Sequence, residues 1–210
     1  MCGITTKWKQ AFYDEVEPIK LKDPLAVFLG AINENEEFIF TYEDAVKLAG
    51  HSCPAVSGAY KVTEKALKAL YGSEIPIRGG ISVKVLGSID NGANGPISQV
   101  ISLITGAAPE TGFAGLGNSF VRKNKLIFDE RNEEANAFVF TRDDNGKSVK
   151  VTYHPENVPA DQDMHELFTK SIVGTANEKQ KEKFKEMWQK RVRCVLFEEV
   201  KGLFNVEKLN

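Results

Sequence analysis

Mostly apolar positions recur at intervals of one, three and four through residues 54–71: Val56, Ala59, Tyr60, Thr63, Ala66, Leu67 and Leu70. That spacing lays them along one face of a helix. Pro54 suits its first turn, where a missing N–H costs no hydrogen bond, and Gly72 ends it. Ile97, Val100, Ile101 and Ile104 repeat in the same way between Pro96 and Gly106, predicting a second helix. Thr41 followed by Asp44 approximates a capping box for a short helix that Gly50 stops. Alternation with a period of two predicts strands instead. Residues 81–86 alternate this way, and residues 137–140 and 149–153 flank an Asn145-Gly146 step that favours a hairpin turn. Residues 25–29 and 38–40, around a polar loop, predict a second hairpin, and residues 120–121 and 126–128 a third. Trp8, Phe12 and Val16, four apart, predict a short helix packed on the body and ending before Pro18.

From about Pro159 the composition shifts to helix formers, with Thr175 and Glu178 as a capping-box signature for a helix through Phe184, Met187 and Trp188. Interleaved helices and strands, then hairpins, then helices predict an α+β fold, with helices packed on an antiparallel or mixed β-sheet. Residues 1–158 form the main body on this reading, and residues 159–210 a helical C-terminal extension of the same domain. A length of 210 residues suits one such domain. The formal net charge of −2 gives no pull towards nucleic acid. Lysines and arginines between Lys179 and Arg193 are interleaved with Glu178, Glu182 and Glu186, which reads as a solvated helix face. No apolar run approaches the roughly 20 residues that span a bilayer, so no membrane is expected. The first residues lack the apolar core of a signal peptide. Cys2, Cys53 and Cys194 are odd in number and far apart, which fits a reduced, cytoplasmic protein rather than a disulfide framework.

Chemistry concentrates in Gly50-His51-Ser52-Cys53-Pro54, where an imidazole and a thiol meet at a helix start. As a metal site, His51 and Cys53 supply two donors, and thiolate with imidazole suits zinc, with iron or copper as alternatives. The third ligand has several candidates: a group from a second subunit, Asp90 at the end of a strand leading into a glycine-rich loop, Asn91, His154, His165 or Cys194. As a metal-free site, Cys53 would be a nucleophile or redox sensor, since a helix N-terminus and a nearby imidazolium favour a thiolate. The alternative with no chemistry makes Cys53 a small buried apolar residue and His51 a satisfied cap. Two loops rich in small residues, 87–95 and 111–118, offer backbone N–H groups and the side chains of Asn91, Asn94 and Asn118, with Gly115, to a small-molecule ligand. They would wall one pocket with Cys53 if both reach the same end of the sheet.

The Gly-His-Ser-Cys-Pro stretch, followed by Gly58-Ala59-Tyr60, resembles the Gly-His-x-Cys-Pro-Gly signature of the FmdE-like family, which takes its name from a component of formylmethanofuran dehydrogenase. The similarity continues at Ile104-Thr105-Gly106 and at Gly115-Leu116-Gly117-Asn118, covering roughly residues 41–130. The resemblance implies an α+β protein, often a homodimer, that binds zinc through the His-x-Cys segment; it implies a metal site more than a reaction. This chain departs from the family's pattern in several places. Gly95-Pro96 stand near the family's usual additional cysteine, Ala107-Ala108 replace one that often follows Thr-Gly, and Leu116 replaces the loop lysine. Three readings follow: a zinc-binding FmdE-like protein, an enzyme using Cys53 or a bound metal on a small molecule, and a non-catalytic partner or assembly module docking through its C-terminal helices.

Overall fold

The computed structural model describes residues 5–210; Cys2 lies outside them. In chain order the elements are β1 (Ile19–Leu21), α1 (Pro24–Phe28), β2 (Phe38–Phe40), α2 (Tyr42–Ala49), α3 (Pro54–Tyr71), β3 (Ile81–Val85) and α4 (Asn94–Thr105). They continue with β4 (Leu126–Phe128), β5 (Ala137–Arg142), β6 (Ser148–Tyr153), α5 (Met164–Ile172), α6 (Glu178–Leu196) and β7 (Phe204–Lys208). Five strands form a mixed sheet in the order β4-β3-β5-β6-β7, parallel only between β3 and β4, while β1 and β2 make a separate antiparallel ribbon. This is the expected α+β class.

Burial alternates along the sheet. Ile81, Val83 and Val85, Phe138 and Phe140, and Val149, Val151 and Tyr153 face the helices, while Ser82, Lys84, Thr141 and Lys150 lie on the outer face. Helix α3 is the central beam of the inner layer and packs against the sheet, α4 and α6. Its periodic face is buried as the sequence predicts, and Ser57, Thr63 and Glu64 are buried with it. The Tyr60 hydroxyl lies 2.9 Å from the carbonyls of both Glu17 and Phe40, tying the small ribbon to α3.

Several local expectations are corrected. Residues 25–29 are mostly helix, not strand: Asp23 accepts hydrogen bonds from the N–H groups of Leu25 and Ala26, and Pro24 occupies the first turn. Strand β2 therefore pairs with β1. Residues 120–121 form no strand, and β4 joins β3 in parallel, a pairing that no hairpin signal can announce. The segment around Phe12 is only a 3-10 turn, Ala11–Glu15. Asn94 rather than Pro96 opens α4. The cap of α6 is Asn177, reciprocated by Gln180.

The C-terminal segment is bound into the body. Val192, Cys194, Val195, Leu196 and Leu203 belong to the main core, and the chain then adds β7, which pairs with β6 from Val149 to Tyr153. The last elements are thus two helices and a strand that completes the sheet. Among the described residues no helix is long and apolar enough to cross a membrane.

Candidate metal centre at the start of helix α3

Four residues, Gly50 to Cys53, connect α2 to α3. Gly50 closes α2 in the left-handed conformation, with φ of 72°, and its N–H bonds the Val46 carbonyl. Cys53 is the extended N-cap of α3, with φ −149° and ψ 169°, and makes no side-chain capping bond. Its carbonyl accepts from the Ser57 N–H at 3.0 Å and from the Ser57 hydroxyl at 3.1 Å. The Cys53 side chain is therefore not used in holding the helix together.

Ser52 points inward and fixes the turn. It is buried, its Oγ lies 2.7 Å from the Tyr42 hydroxyl, and its carbonyl accepts the Trp188 indole N–H at 3.0 Å. Its neighbours are more open: His51 is exposed and Cys53 half-buried. His51 Nδ1 lies 2.9 Å from the Ala49 carbonyl. A carbonyl only accepts, so Nδ1 carries the proton of the neutral ring and Nε2 keeps its lone pair. Metal-binding histidines are commonly fixed in this way, by a backbone acceptor on the other nitrogen.

Two buried tyrosines flank the turn, bonded to Ser52 and to the Pro54 carbonyl. Burial raises the Tyr42 and Tyr153 phenols well above the ordinary tyrosine range, and negative charge on Cys53 would push both further. They remain neutral hydroxyls near pH 7. Tyr153 donates to the Pro54 carbonyl at 3.1 Å, holding the first turn of α3 to the end of β6. A cleft of about 340 Å³ opens beside the imidazole, lined by Trp8, Tyr13, Lys47, His51, Lys185 and Gln189 among others. The larger cleft, about 550 Å³, lies along the C-terminal half of α3 between Glu17, Glu64, Lys68 and Glu74, without cysteine or histidine.

The remaining candidate residues are dispersed. Among the described residues no group of three or more histidine, cysteine, aspartate or glutamate side chains could hold a metal ion. Strand β3 ends at Val85, so Asp90 lies beyond the strand end, exposed in the loop. There the Ser88 hydroxyl donates to its carboxylate at 2.7 Å and holds its pKa below the usual range. His154 pairs with Glu156 at 2.8 Å, and His165 is exposed in the first turn of α5. Cys194 is buried in α6, and burial, with Glu199 nearby, pushes its thiol up. Among the described residues, His51 and Cys53 are thus the pair of imidazole and thiol donors close in the chain.

The two small-residue loops lie at opposite ends of the sheet. Residues 87–95 follow β3 and stand at the end where Tyr153 meets Pro54, because β6 runs in the same direction as β3. There Asn94 is buried and its side chain donates to the Ser88 carbonyl at 2.9 Å, while Asn91 is exposed. Residues 112–118 precede β4, which is parallel to β3, so they lie at the other end. Gly115 holds φ at 98°, where a Cβ would press on Val121, and Asn118 is exposed beside Arg122. A single pocket joining both loops to Cys53 does not form.

No curated protein matches the chain. A family model described as "FmdE, Molybdenum formylmethanofuran dehydrogenase operon" matches residues 48–205. That span begins at the end of α2, takes in His51, Cys53 and both loops, and runs through the β5–β6 hairpin and α6 into β7, well past residue 130. Since the match embraces the His-x-Cys turn, the sheet and the helix that braces them, the chain belongs to the FmdE family.

Proposed function

We propose that this FmdE-family chain binds a transition metal, zinc first, through His51 Nε2 and Cys53 Sγ, in a metal-associated and subunit-like role. The observation that carries the reading is the His51 Nδ1 contact to the Ala49 carbonyl, which leaves the Nε2 lone pair free to bind. A thiol free of capping duty two residues on supplies the softer donor. Ser52 is buried between the exposed His51 and the half-buried Cys53, an alternation that suits two donors on one side of the turn and a shared ion.

Two protein donors leave a tetrahedral ion with open positions. A second copy of the chain in a homodimer would fill one or both, as would Asp90 after a rearrangement of its loop, or a small molecule entering the cleft beside His51. In the last case the bound ion supplies Lewis acidity, while Lys47, Lys185 and Tyr13 contact the ligand. Asn91 and Asn94 would lie at that same end of the sheet.

Metal analysis of untagged protein tests the reading. Wild type should carry about one zinc per chain, or one per two chains where a second copy completes the site, and His51→Ala/Cys53→Ala almost none, with both eluting at the same mass if the site is not the dimer contact. Equal metal content in the two proteins overturns the proposal.

A further inference from the structure

The turn ahead of β3 packs two guanidinium groups onto one carboxylate. Asp23, only 2% exposed, accepts from Arg78 Nη1 at 3.1 Å and, on both oxygens, from Arg122 Nη2 at 2.7 Å. Arg78 has a structural task besides: its Nε and Nη2 donate to the Ile104 and Leu103 carbonyls near the end of α4, groups a helix terminus leaves unpaired. One arginine suffices to balance Asp23. Arg122 is a second cation, its side chain 15% exposed, and among the described residues its Nε and Nη1 make no protein hydrogen bond.

The local charge is not balanced. Lys125 stands beside the pair but is already matched by Asp143 at 2.6 Å, so three cations face two carboxylates. Burial and the neighbouring Arg122 charge hold the Arg78 guanidinium below the ordinary arginine range, against the pull of Asp23. Like charges crowded in a half-buried place cost free energy that an arriving anion would offset.

There is room for one. A cleft of about 320 Å³ is lined by Leu25, Arg78, Asn118, Phe120, Arg122 and Lys125 among others, with no carboxylate in its wall. Gly106 makes space for Arg78, since a Cβ there would stand 3.2 Å from Arg78 Cγ. Phe120, in the wall, holds φ at 60°, a left-handed conformation that is unfavourable for a bulky residue. Such strain persists where neighbouring structure over-determines it, and it gathers at ligand-binding places.

We propose that this cleft binds the oxyanion of a small molecule, a carboxylate or phosphoryl group with an oxygen on the free Nε–H or Nη1–H of Arg122, and the ligand's apolar body against Phe120 and Leu25. Asp23 holds Nη2, which belongs to both bidentate faces of the guanidinium, so the ligand's oxygen takes a single charge-assisted hydrogen bond from Nε–H or Nη1–H. The cleft lies at the end of the sheet opposite His51, so the assignment stands apart from the metal site.

The test is a titration of the full chain with benzoate and, separately, inorganic phosphate at constant ionic strength, followed by amide chemical shifts. Saturable shifts centred on Gly79, Gly80 and residues 118–122 are expected, with Arg122→Gln weakening binding by roughly ten- to hundredfold, the worth of charge-assisted hydrogen bonds. Tighter benzoate identifies a carboxylate ligand, and tighter phosphate a phosphoryl one. Should Arg122→Gln fail to fold, Asn118→Ala/Phe120→Ala, which leaves the Asp23 contacts in place, is expected to weaken benzoate at least about threefold. Absent shifts, shifts spread over the lysines of α6, or unchanged affinity in the folded variant overturn the proposal.

Discussion

The indole N–H of Trp188 donates to the Ser52 carbonyl across 3.0 Å, so a helix 136 residues downstream holds the turn that carries His51 and Cys53. Ser52 is gripped from both sides, since its hydroxyl meets the buried Tyr42. The turn owes its shape less to its own sequence than to α6 and α2.

Trp188→Phe keeps most of the ring and deletes this donor. It should destabilise the fold by about 1–2 kcal/mol, the usual consequence of leaving a carbonyl unsatisfied. Zinc retention in a chelator competition should fall with it, because His51 and Cys53 flank the released residue. Urea unfolding and the chelator titration check the two effects separately; unchanged retention in a destabilised variant would detach the indole from the metal turn.

Residues 54–71 and the β5–β6 hairpin were legible because their signals are local: a three-four period, a proline, and an Asn-Gly turn that places Gly146 at φ 72°. Residues 25–29 make a short apolar run in which Val27 and Phe28 favour strands. The Asp23-Pro24 pair ahead of them was the available helix-start signal. Strand β7 offered little to read: four of its five residues are exposed, and pairing with β6 makes it a strand. The His-x-Cys turn could be found from the sequence, but its supports could not. Trp188 is remote from Ser52 in the chain, and Arg122 lies 99 residues from Asp23, so no motif spacing links either pair. The opposed positions of the two small-residue loops likewise follow from the parallel register of β4, which only the folded sheet reveals.

Acid should expose the Asp23 cluster. Burial acts to raise its pKa, but hydrogen bonds from Arg122, the Ala26 N–H and Arg78 together outweigh it and hold the carboxyl below the ordinary aspartate range. A carboxylate whose folded pKa is depressed contributes stability above its unfolded pKa, about 3.9, and loses it as pH falls through the lower folded value. Asp23→Asn keeps an oxygen to cap α1 and removes the charge. The variant should be less stable than wild type by about 3 kcal/mol at pH 7, the scale of a broken buried pair. The gap should narrow below pH 4. Denaturant midpoints from pH 7 down to about 2.5 measure it, and a gap independent of pH would show that the charge of Asp23 is not what the arginines require.

Gly58 sits in α3 under the ring of Tyr153. A Cβ at that position would stand 2.7 Å from Tyr153 Cδ1 and 2.8 Å from Cζ, closer than real contacts allow. In most helices Gly→Ala stabilises by reducing the freedom of the unfolded chain. Here the phenol must shift, and with it the 3.1 Å hydrogen bond to the Pro54 carbonyl that fixes the first turn behind Cys53. Gly58→Ala should therefore destabilise by about 1–3 kcal/mol, the range for overpacked cores. Replacing the ring removes the clash, so Gly58→Ala should cost clearly less in a Tyr153→Leu background than in wild type. A double-mutant cycle in urea measures that coupling, and an equal cost in both backgrounds would rule out the ring as the obstacle.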